Sequence, residues 1–319
     1  MQNKLIVGAG AGAVAAALYV TALALPALGV LSLFFSALPL FVAGLGWGLM
    51  PTAVAGTVAA LLVGALVAPV LAVNFAAAFA VPVTLFIYLA LMRRRVTDAD
   101  GAPAVEWYPA GRLLAALSFV AAGFLIGAAI ATAGEGGLQA AARSLLLELF
   151  GGQKGLEEIL EKGGSTLSAE QYIDVLSAAF PAIAGMSFVA QMAANAGLAQ
   201  RLLARRGLAL RPSPSVRRLS LPFSLDIALA GAMVLSFLPG EPGFVAASLT
   251  ALFLLPYFLL GLVVVHVIST GWPSRALVLI AVYLSLIVLS FTAVFIAVLG
   301  LIETCFGLRR RYAVAAPPT

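Results

Sequence analysis

The chain has 319 residues, of which 63% are hydrophobic and only 10% are charged. Soluble domains carry roughly 25% charged residues, so this composition excludes a water-soluble globular protein. The formal net charge of +5 comes from short basic clusters beside apolar segments rather than from a basic domain, which argues against nucleic-acid binding.

The first predicted elements lie between Lys4 and Arg93, an interval without a charged residue. About 20 apolar residues can cross a hydrocarbon core of about 30 Å, and in lipid they must be helical to satisfy their backbone hydrogen bonds. The first span is expected to remain uncleaved, because no polar mature region follows it. The sequence therefore predicts a four-span N-terminal block over residues 1–92, with spans at about 5–25, 28–48, 52–73 and 74–92.

The second and third spans meet at a glycine-rich joint, residues 46–51, which ends in Pro51. Proline disfavours helix at the residue before it, and glycine permits a close approach of two backbones. We expect a tight hairpin here, in which Trp47 offers the one side chain suited to contacting a ligand.

Two basic loops set the predicted orientation. Residues 93–112 begin with three arginines, and residues 199–220 contain six arginines and no acid. Because Lys and Arg clusters beside spans mark the cytoplasmic side, we predict that both loops and the N-terminus are cytoplasmic, in a bacterial inner membrane. Between them lie a fifth span at about 113–133, an acidic amphipathic segment over 135–175 that is predicted to be extracytoplasmic, and a sixth span at about 176–199.

The C-terminal spans occupy residues 221–311. They comprise a seventh span at about 223–238, an eighth at about 244–268, and an apolar run over 276–306 without a helix breaker. Nine spans would place arginines 309–311 outside, against the orientation rule, so the side of the C-terminus stays open. The predicted fold class is all-α, a polytopic integral membrane helix bundle with eight or nine transmembrane helices.

Glycine and alanine alternate over residues 8–12. The pattern is similar to a dinucleotide-binding fingerprint, but that motif needs a preceding strand and an acid about 20 residues later. The first acid downstream is Asp98. Small residues four apart instead form a helix face that permits close packing in lipid. We predict such helix-packing or partner-docking faces at Gly8, Ala9, Gly12 and Ala13 on the first span and at Gly123 and Gly127 on the fifth.

Few polar side chains fall within the predicted spans, and each is a candidate for function because polar groups are costly in hydrocarbon. Either they line a polar cavity enclosed by several spans, or they lie at the interfacial ends of helices, as Asp226 and Glu303 could. For the cavity alternative, the residues predicted to bind a small-molecule ligand are Trp47, Gln191, Asn195, Asp226 and His266.

Ser187 on the sixth span and His266 on the eighth form a weaker pattern, in which the histidine could activate the serine as in intramembrane proteases. Phe188 stands where that motif needs a second glycine, and no oxyanion-hole residue can be assigned. We therefore assign no catalytic residue. His266 and Cys305 are the only histidine and the only cysteine, so we expect no metal site and no cofactor.

The C-terminal stretch carries a family resemblance. Residues 260–266 read Leu-Gly-Leu-Val-Val-Val-His, and a long apolar run then ends in Leu-Gly-Leu-Ile-Glu at 299–303 and three arginines. This block resembles the closing segment of the YybS-like predicted membrane proteins, an uncharacterised bacterial family, with Glu303 where many members carry Asp. That family is distantly similar to the substrate-binding S components of energy-coupling factor transporters.

The resemblance implies that the joint at 46–51 is the glycine-rich turn that S components share. It also implies that small residues on the first helix, such as Ala9 and Ala13, dock a membrane coupling subunit. We therefore expect a transporter-like protein rather than an enzyme, embedded in the lipid bilayer and binding a small molecule. The alternative is a non-transporting scaffold that docks partners or anionic lipid headgroups, and an intramembrane hydrolase is a third hypothesis.

Overall fold

The computed structural model describes residues 2–97, 101–289 and 291–315, most of which lie in helices. Within these ranges, seven helical segments of 18 or more residues are apolar enough to cross a membrane, and three shorter apolar helices accompany them. Two of the seven, residues 27–47 and 69–90, consist of consecutive helices. The prediction of an all-α polytopic membrane bundle is therefore confirmed. The predicted count of eight or nine spans requires one or two of the shorter helices to cross as well. Asp98, the first acid of the sequence, lies outside the described residues.

Fifteen α-helices and two strands follow one another along the described parts of the chain. Several of the helices have proline in their first turn, where a backbone N–H would have no partner within the helix. The helices are α1 Gln2–Ala24, α2 Pro26–Phe35, α3 Leu38–Trp47, α4 Leu49–Leu66, α5 Pro69–Phe75, α6 Val81–Ala90, α7 Ala110–Thr132, α8 Gly137–Leu149, α9 Gly152–Lys162, α10 Ala169–Arg205, α11 Phe223–Leu235, α12 Gly240–Ile268, α13 Arg275–Val288, α14 Thr292–Phe306 and α15 Leu308–Ala315. The strands are β1 Arg93–Thr97 and β2 Pro103–Trp107, a π-helical segment spans Ala76–Ala80, and 3₁₀ turns occur at Ala133–Glu135 and Val216–Arg218.

The chain divides into two compact units. Unit 1 comprises residues 1–117 and 189–220, and unit 2 comprises residues 118–188 and 221–319. Each unit is therefore built from two separate stretches of the sequence. The single integral membrane domain predicted over residues 1–319 stays a prediction, because two such units can belong to one domain or to two.

In unit 1, glycines set the distance between α1 and α4. A Cβ atom on Gly8 would lie 2.7 Å from the carbonyl oxygen of Pro51, and one on Gly12 would lie 2.5 Å from that of Ala55. No side chain fits in that space without a shift of backbone. Association of helices in lipid relies on such close packing, so these two glycines bring the first span onto the third.

The second predicted span is interrupted in its middle. The helix α2 ends at Phe35 and α3 begins at Leu38, with Pro39 in the first turn of α3. Because α2 ends there, its last carbonyl groups lose the N–H donors of a continuing helix, and Pro39 has no N–H to donate to the carbonyl of Phe35. The next joint is tight, as predicted for residues 46–51: a single residue, Gly48 with φ of 103°, separates α3 from α4.

The first basic loop contains a hairpin that was not predicted from the sequence. The strands β1 and β2 pair antiparallel, with Arg93 opposite Trp107 and Arg94 opposite Glu106. The guanidinium of Arg93 lies 5.7 Å from the centre of the Trp107 ring, and Arg94 forms an exposed ion pair of 2.7 Å with Glu106. Such cross-strand pairs are the units that stabilise a two-stranded sheet.

In unit 2, the segment predicted to be amphipathic folds against α10. Leu146 of α8, Leu156 of α9 and Ile173 of α10 are buried together in one apolar cluster. The Oε1 atom of Glu241, at the start of α12, accepts a hydrogen bond of 2.6 Å from the N–H of Leu138 at the start of α8. A carboxylate at a helix N-terminus is favourably placed because it meets unpaired N–H groups and the positive end of the helix dipole. The extracytoplasmic location of this segment stays a prediction.

Glycines also bring α12 and α14 of unit 2 into direct backbone contact. A Cβ on Gly261 would overlap the carbonyl of Ile296, and a Cβ on Gly300 would overlap the carbonyl of Tyr257. As residue numbers fall along α12 they rise along α14, so the two helices are antiparallel. Both glycines belong to the block that carries the family resemblance, and their geometry gives that block a structural role.

The apolar run over 276–306 is not one continuous helix. The helices α13 and α14 are separated around Leu289, whose φ of −122° and ψ of 90° are extended rather than helical. At about 1.5 Å per residue, the two helices are only about 21 and 22 Å long, whereas a hydrocarbon core is about 30 Å thick. The expectation of one unbroken run is therefore wrong. The helix is interrupted at Leu289, whose backbone is extended, rather than at a glycine or a proline.

Candidate functional site

An open groove runs along unit 1 between α4 and the segment from the π-helical turn through α6. Its volume is about 640 Å³, which falls within the range of about 300–1,000 Å³ typical of ligand pockets. The walls touch where a Cβ on Gly56 would lie 2.7 Å from the Cβ of Ala80. Small side chains therefore create the groove, which is lined by Leu49, Ala53, Gly56, Thr57, Ala60, Leu61, Ala76, Ala80, Val81, Thr84, Leu85 and Tyr88.

The groove is almost entirely apolar. Only Thr57, Thr84 and Tyr88 bring hydroxyl groups to its lining, and the Thr84 hydroxyl already donates to the carbonyl of Ala80 at 2.7 Å. An apolar recess with one or two free hydroxyls suits a hydrocarbon-rich ligand better than a charged one. None of the five residues predicted to bind a ligand is among its lining residues.

Gln191 and Asn195 lie one turn apart on α10 and serve the interrupted end of α2. The Nε2 atom of Gln191 donates to the carbonyls of Leu33 at 2.9 Å and Phe34 at 3.1 Å, and the Nδ2 atom of Asn195 donates to Phe34 at 2.8 Å. Asn195 is fully buried, and its Oδ1 atom has no hydrogen-bond partner among the described residues. These amides give the carbonyl of Phe34 the donors that it loses where α2 ends, and they add a second donor at Leu33, whose carbonyl also accepts the N–H of Ser36.

Arg211, in the second basic loop, is buried at the end of α6. Its Nη1 atom donates to the carbonyl of Ala90 at 2.9 Å and its Nη2 atom to the carbonyl of Tyr108 at 3.2 Å, while the guanidinium lies 6.0 Å from the centre of the Trp107 ring. Burial lowers the pKa of this guanidinium from its ordinary value. The positive charge sits at the C-terminus of α6, where the helix dipole favours a cation.

Gln200 of α10 holds the same loop from the other side. Its Nε2 atom donates to the Arg211 carbonyl at 2.9 Å and to the Ser213 hydroxyl at 3.3 Å. The Gln200 Oε1 and Arg211 Nε atoms are buried, and neither has a hydrogen-bond partner in the part of the chain that the structure describes. The loop is thus fixed to the hairpin, to α6 and to α10 by side chains that sequence reasoning did not select.

Trp47 is half-buried at the end of α3, directly before Gly48. The neighbouring backbone is used structurally, since the carbonyl of Leu45 accepts a hydrogen bond of 2.9 Å from the N–H of Leu210. Trp47 does not line the groove. Its predicted contact with a ligand stays a prediction.

Asp226 lies in the first turn of α11 and is half-buried. Its Oδ1 atom accepts a hydrogen bond from the hydroxyl of Tyr257, a side chain of α12 that is fully buried. The phenol provides a hydrogen-bond partner for a carboxylate whose burial in the membrane would otherwise be energetically unfavourable. The bond also joins α11 to α12.

His266 lies near the end of α12 with both ring nitrogens engaged. Nδ1 is 2.9 Å from the carbonyl oxygen of Leu262, and Nε2 is 3.4 Å from the hydroxyl of Tyr283 on α13. Ser187 is exposed on α10, and the described hydrogen bonds of His266 do not include it. The geometry therefore offers no serine–histidine pair to the hydrolase hypothesis within the described residues.

The five predicted ligand-binding residues are divided between the two units. Trp47, Gln191 and Asn195 belong to unit 1, whereas Asp226 and His266 belong to unit 2. Four of the five have hydrogen-bond partners on another helix of their own unit, and for His266 that partner is Tyr283. Their joint binding of one ligand stays a prediction.

The predicted packing faces have different surroundings. Gly8 and Gly12 are buried against α4, whereas Ala9 and Ala13 are exposed on the other side of α1. Gly123 and Gly127 on α7 are exposed, and a Cβ on either would meet nothing within 4 Å. Packing within the chain thus accounts for Gly8 and Gly12, and the other four predicted residues remain available to lipid or a partner.

Sequence reasoning missed the groove and the buried arginine for different reasons. The groove depends on small residues of α4 facing the alanines of residues 76–80, and a signal existed in the density of alanine there. Arg211 is one of six arginines in its loop, and only the following Pro212 distinguishes it in the sequence, so its burial could not be predicted. Which arginine turns inward depends on carbonyl groups about 100 residues away in sequence.

The chain matches the model of a protein family over most of its length. A family model described as "Predicted membrane protein (DUF2232)" matches residues 13–304, well over half of the chain. No curated protein matches the chain, and no solved structure matches it.

Proposed function

The chain belongs to the predicted membrane protein family DUF2232, and from that premise we propose that it is a transporter-like membrane protein that binds a hydrocarbon-rich small molecule in the groove of unit 1. The single observation that carries the proposal is the groove itself. It combines a volume of about 640 Å³, an apolar lining and an opening along one side of α4. Ligand sites in helix bundles are mostly apolar recesses of this size.

The S-component-like role is part of the same proposal. It is supported by the resemblance of the C-terminal block and by the tight glycine joint between α3 and α4. It is also supported by the exposed Ala9 and Ala13, because small residues four apart on a free helix face suit the approach of a membrane coupling subunit. The proposed location is a bacterial inner membrane with a cytoplasmic N-terminus, as the distribution of arginine favours.

Native mass spectrometry of the detergent-purified full chain tests the binding of a ligand. Thr57 is an exposed residue in the middle of the α4 wall, so Thr57→Phe should fill the groove without disturbing the core. Ala65→Phe is the matched control, since Ala65 is exposed on the same helix but outside the lining. We expect a co-purified small molecule on the unchanged chain and on Ala65→Phe, and its loss from Thr57→Phe. Equal occupancy of the two variants would exclude the groove as the site.

The second candidate is a membrane scaffold that docks partners without transporting anything. It is favoured by the hydrogen bonds of Gln191, Asn195, Asp226 and His266 to residues of other helices, which give each polar residue a structural role. If the protein is a scaffold, the exposed alanines of α1 should bind a partner whether or not the groove is occupied. Ala13→Leu should then release a stoichiometric partner that Thr57→Phe retains, and Val14→Leu, at an exposed neighbouring position, should also retain it.

A further inference from the structure

We infer that the ligand of the groove is an anionic lipid, whose acyl chain lies between α4 and α6 and whose phosphate group is bound at a basic rim formed by Arg93, Trp107 and Arg211. The inference rests on the proposed function, because it names the class of ligand for the same groove. Three properties of unit 1 carry it: the length of the groove, the position of the rim and, within the described residues, the lack of a carboxylate paired with either arginine of the rim.

The groove is about as long as one leaflet of a bilayer is thick. Its lining residues on α4 run from Leu49 to Leu61, and a helix rises about 1.5 Å per residue, so the groove is about 18 Å long. One leaflet contributes about half of a hydrocarbon core of about 30 Å. A single acyl chain that entered at one end of the groove would fit along its length and remain in that leaflet.

The two walls of the groove run antiparallel. A Cβ on Gly56 would lie 2.7 Å from the Cβ of Ala80, and a Cβ on Gly64 would lie 2.9 Å from the Cβ of Ala72. Residue numbers that rise along α4 therefore face numbers that fall along the opposite wall. It follows that the Leu49 end of α4 meets the C-terminal end of α6.

The basic rim lies at this same end. Ala90 is the last residue of α6, and its carbonyl oxygen accepts a hydrogen bond of 2.9 Å from Nη1 of Arg211. Arg93 follows three positions later, and both guanidiniums lie over the ring of Trp107, at 5.7 and 6.0 Å from its centre. The rim residues are not part of the lining but lie beyond the end of the groove that Leu49 and Tyr88 form. An apolar groove with two cations beyond one end has the charge pattern of an acyl chain with an anionic headgroup.

Neither arginine of the rim is neutralised within the described residues. The ion pairs found there involve Arg94, Arg143, Lys162 and Arg309, and Glu106 is taken by Arg94. Arg211 is only 6% exposed, its hydrogen bonds go to uncharged carbonyl groups, and its Nε atom has no partner among the described residues. A buried cation with uncharged partners alone is unfavourable, so a phosphate beside it would offset the cost of burial.

The test titrates the delipidated full chain in detergent with phosphatidylglycerol or with phosphatidylcholine of identical acyl chains, and measures bound lipid by native mass spectrometry. We expect tighter binding of phosphatidylglycerol. Arg93 is exposed, so Arg93→Gln should leave folding intact while it weakens phosphatidylglycerol binding by roughly fivefold. Phosphatidylcholine binding should weaken less, because its choline cation offsets the charge of the phosphate. Arg205→Gln, which removes an exposed arginine of unit 1 outside the rim, is the matched control and should change neither lipid.

Thr57→Phe separates the two levels of the proposal. It should weaken the binding of both lipids, because it blocks the chain rather than the headgroup. If Arg93→Gln acts no more strongly than Arg205→Gln while Thr57→Phe still weakens both lipids, the groove binds apolar chains and the anionic-lipid inference is wrong. If Thr57→Phe leaves both lipids bound but still removes the co-purified small molecule, the inference is wrong and the proposed function stands. If it affects neither, both are wrong.

Discussion

At the scale of single residues, the glycines of α1 differ in what surrounds them although they alternate in one short sequence. Gly8 and Gly12 face the backbone of α4, whereas Gly10 is exposed and a Cβ added to it would meet no heavy atom within 4 Å. The helical period explains the difference, because positions two apart lie on nearly opposite faces. Gly12 is therefore suited to a test substitution, and Gly10 to its control.

Gly12→Ala should destabilise the protein, because the new Cβ would lie 2.5 Å from the carbonyl oxygen of Ala55. Overpacking of this kind costs about 1–3 kcal/mol. Gly10→Ala adds the same methyl group in open space, where alanine is the better helix former, and should leave stability unchanged or slightly raised. Thermal unfolding in detergent measures both variants. Equal melting temperatures would show that α1 does not depend on the close approach at Gly12.

Residue-level reasoning from the sequence selected Gln191 and Asn195 correctly as unusual polar groups in a span, but it could not supply their partners. Their amides meet carbonyls of Leu33 and Phe34, about 160 positions earlier in the chain. The need for such donors arises only because α2 breaks before Pro39. A sequence pattern shows the proline and the amides, whereas their pairing is a property of tertiary packing.

At the scale of elements, two glutamates fix short helices of unit 2 to longer ones. Glu303 near the end of α14 accepts hydrogen bonds from the N–H and the Nε atom of Arg309 in α15, at 3.0 and 2.8 Å. Glu241 at the start of α12 accepts the N–H of Leu138 in α8. Both carboxylates meet the N-terminal end of the helix they hold, where unpaired N–H groups are available.

Glu303→Gln should loosen α15 and lower stability. The side chains of Glu303 and Arg309 are only 6% and 13% exposed, and removing one member of a buried ion pair costs about 3–5 kcal/mol. Glu158→Gln is the control, since its ion pair with Lys162 is 3.8 Å long and exposed, and such pairs contribute little. Thermal unfolding and hydrogen exchange over residues 308–315 measure the effect. Similar melting temperatures for the two variants would contradict a structural role for the buried pair.

Glu241→Ala should increase hydrogen exchange within α8, because the N–H of Leu138 loses its charged acceptor. A hydrogen bond to a charged group contributes about 1.5–3 kcal/mol, so protection of residues 137–149 should fall by at least about tenfold. Glu135→Ala, which removes a neighbouring exposed carboxylate with no hydrogen bond to α8 among those described, should leave exchange unchanged. Unchanged exchange in Glu241→Ala would mean that packing alone holds the start of α8.

Element boundaries show where sequence reasoning succeeds and where it fails. The tight joint at Gly48 was predictable because glycine and proline mark it in the sequence. The break near Leu289 was not, since no glycine or proline marks it within the apolar run. The hairpin of β1 and β2 was equally hidden, because its stabilising pairs join arginine to tryptophan and glutamate rather than apolar to apolar.

At the scale of the whole molecule, the distribution of charge predicts which loops share a side of the membrane. In a variant carrying Cys305→Ser, single cysteines at Arg94 and Gly207 should react with an impermeant maleimide only after the cells are opened, because basic loops remain cytoplasmic. A cysteine at Glu158, in the acidic segment, should react on intact cells. Labelling of the Arg94 and Glu158 positions under the same condition would overturn the predicted orientation.

The class of fold could be predicted from the sequence, because a chain with so little charge lies in lipid and its unbroken apolar runs are long enough to cross a bilayer as helices. The predicted binding residues are a different matter, since Trp47, Gln191 and Asn195 fall in one unit and Asp226 and His266 in the other. Contact between distant stretches, not local sequence, decides that division. The groove could not be located for the same reason, because the high density of alanine on its two facing helices also occurs in ordinary membrane-spanning sequence.

The discontinuity of unit 1 has a consequence for biosynthesis. Arg211, which fixes the end of α6 by binding the carbonyl of Ala90, is translated 121 positions after that residue. At about 5–20 residues per second, the ribosome reaches it roughly 6–24 s later. During that interval residues 118–188 of unit 2 are made and inserted. Until then α6, which forms one wall of the groove, lacks its hydrogen bond from Arg211. Completion of unit 1 is therefore timed by the second arginine loop rather than by the insertion of its own first spans.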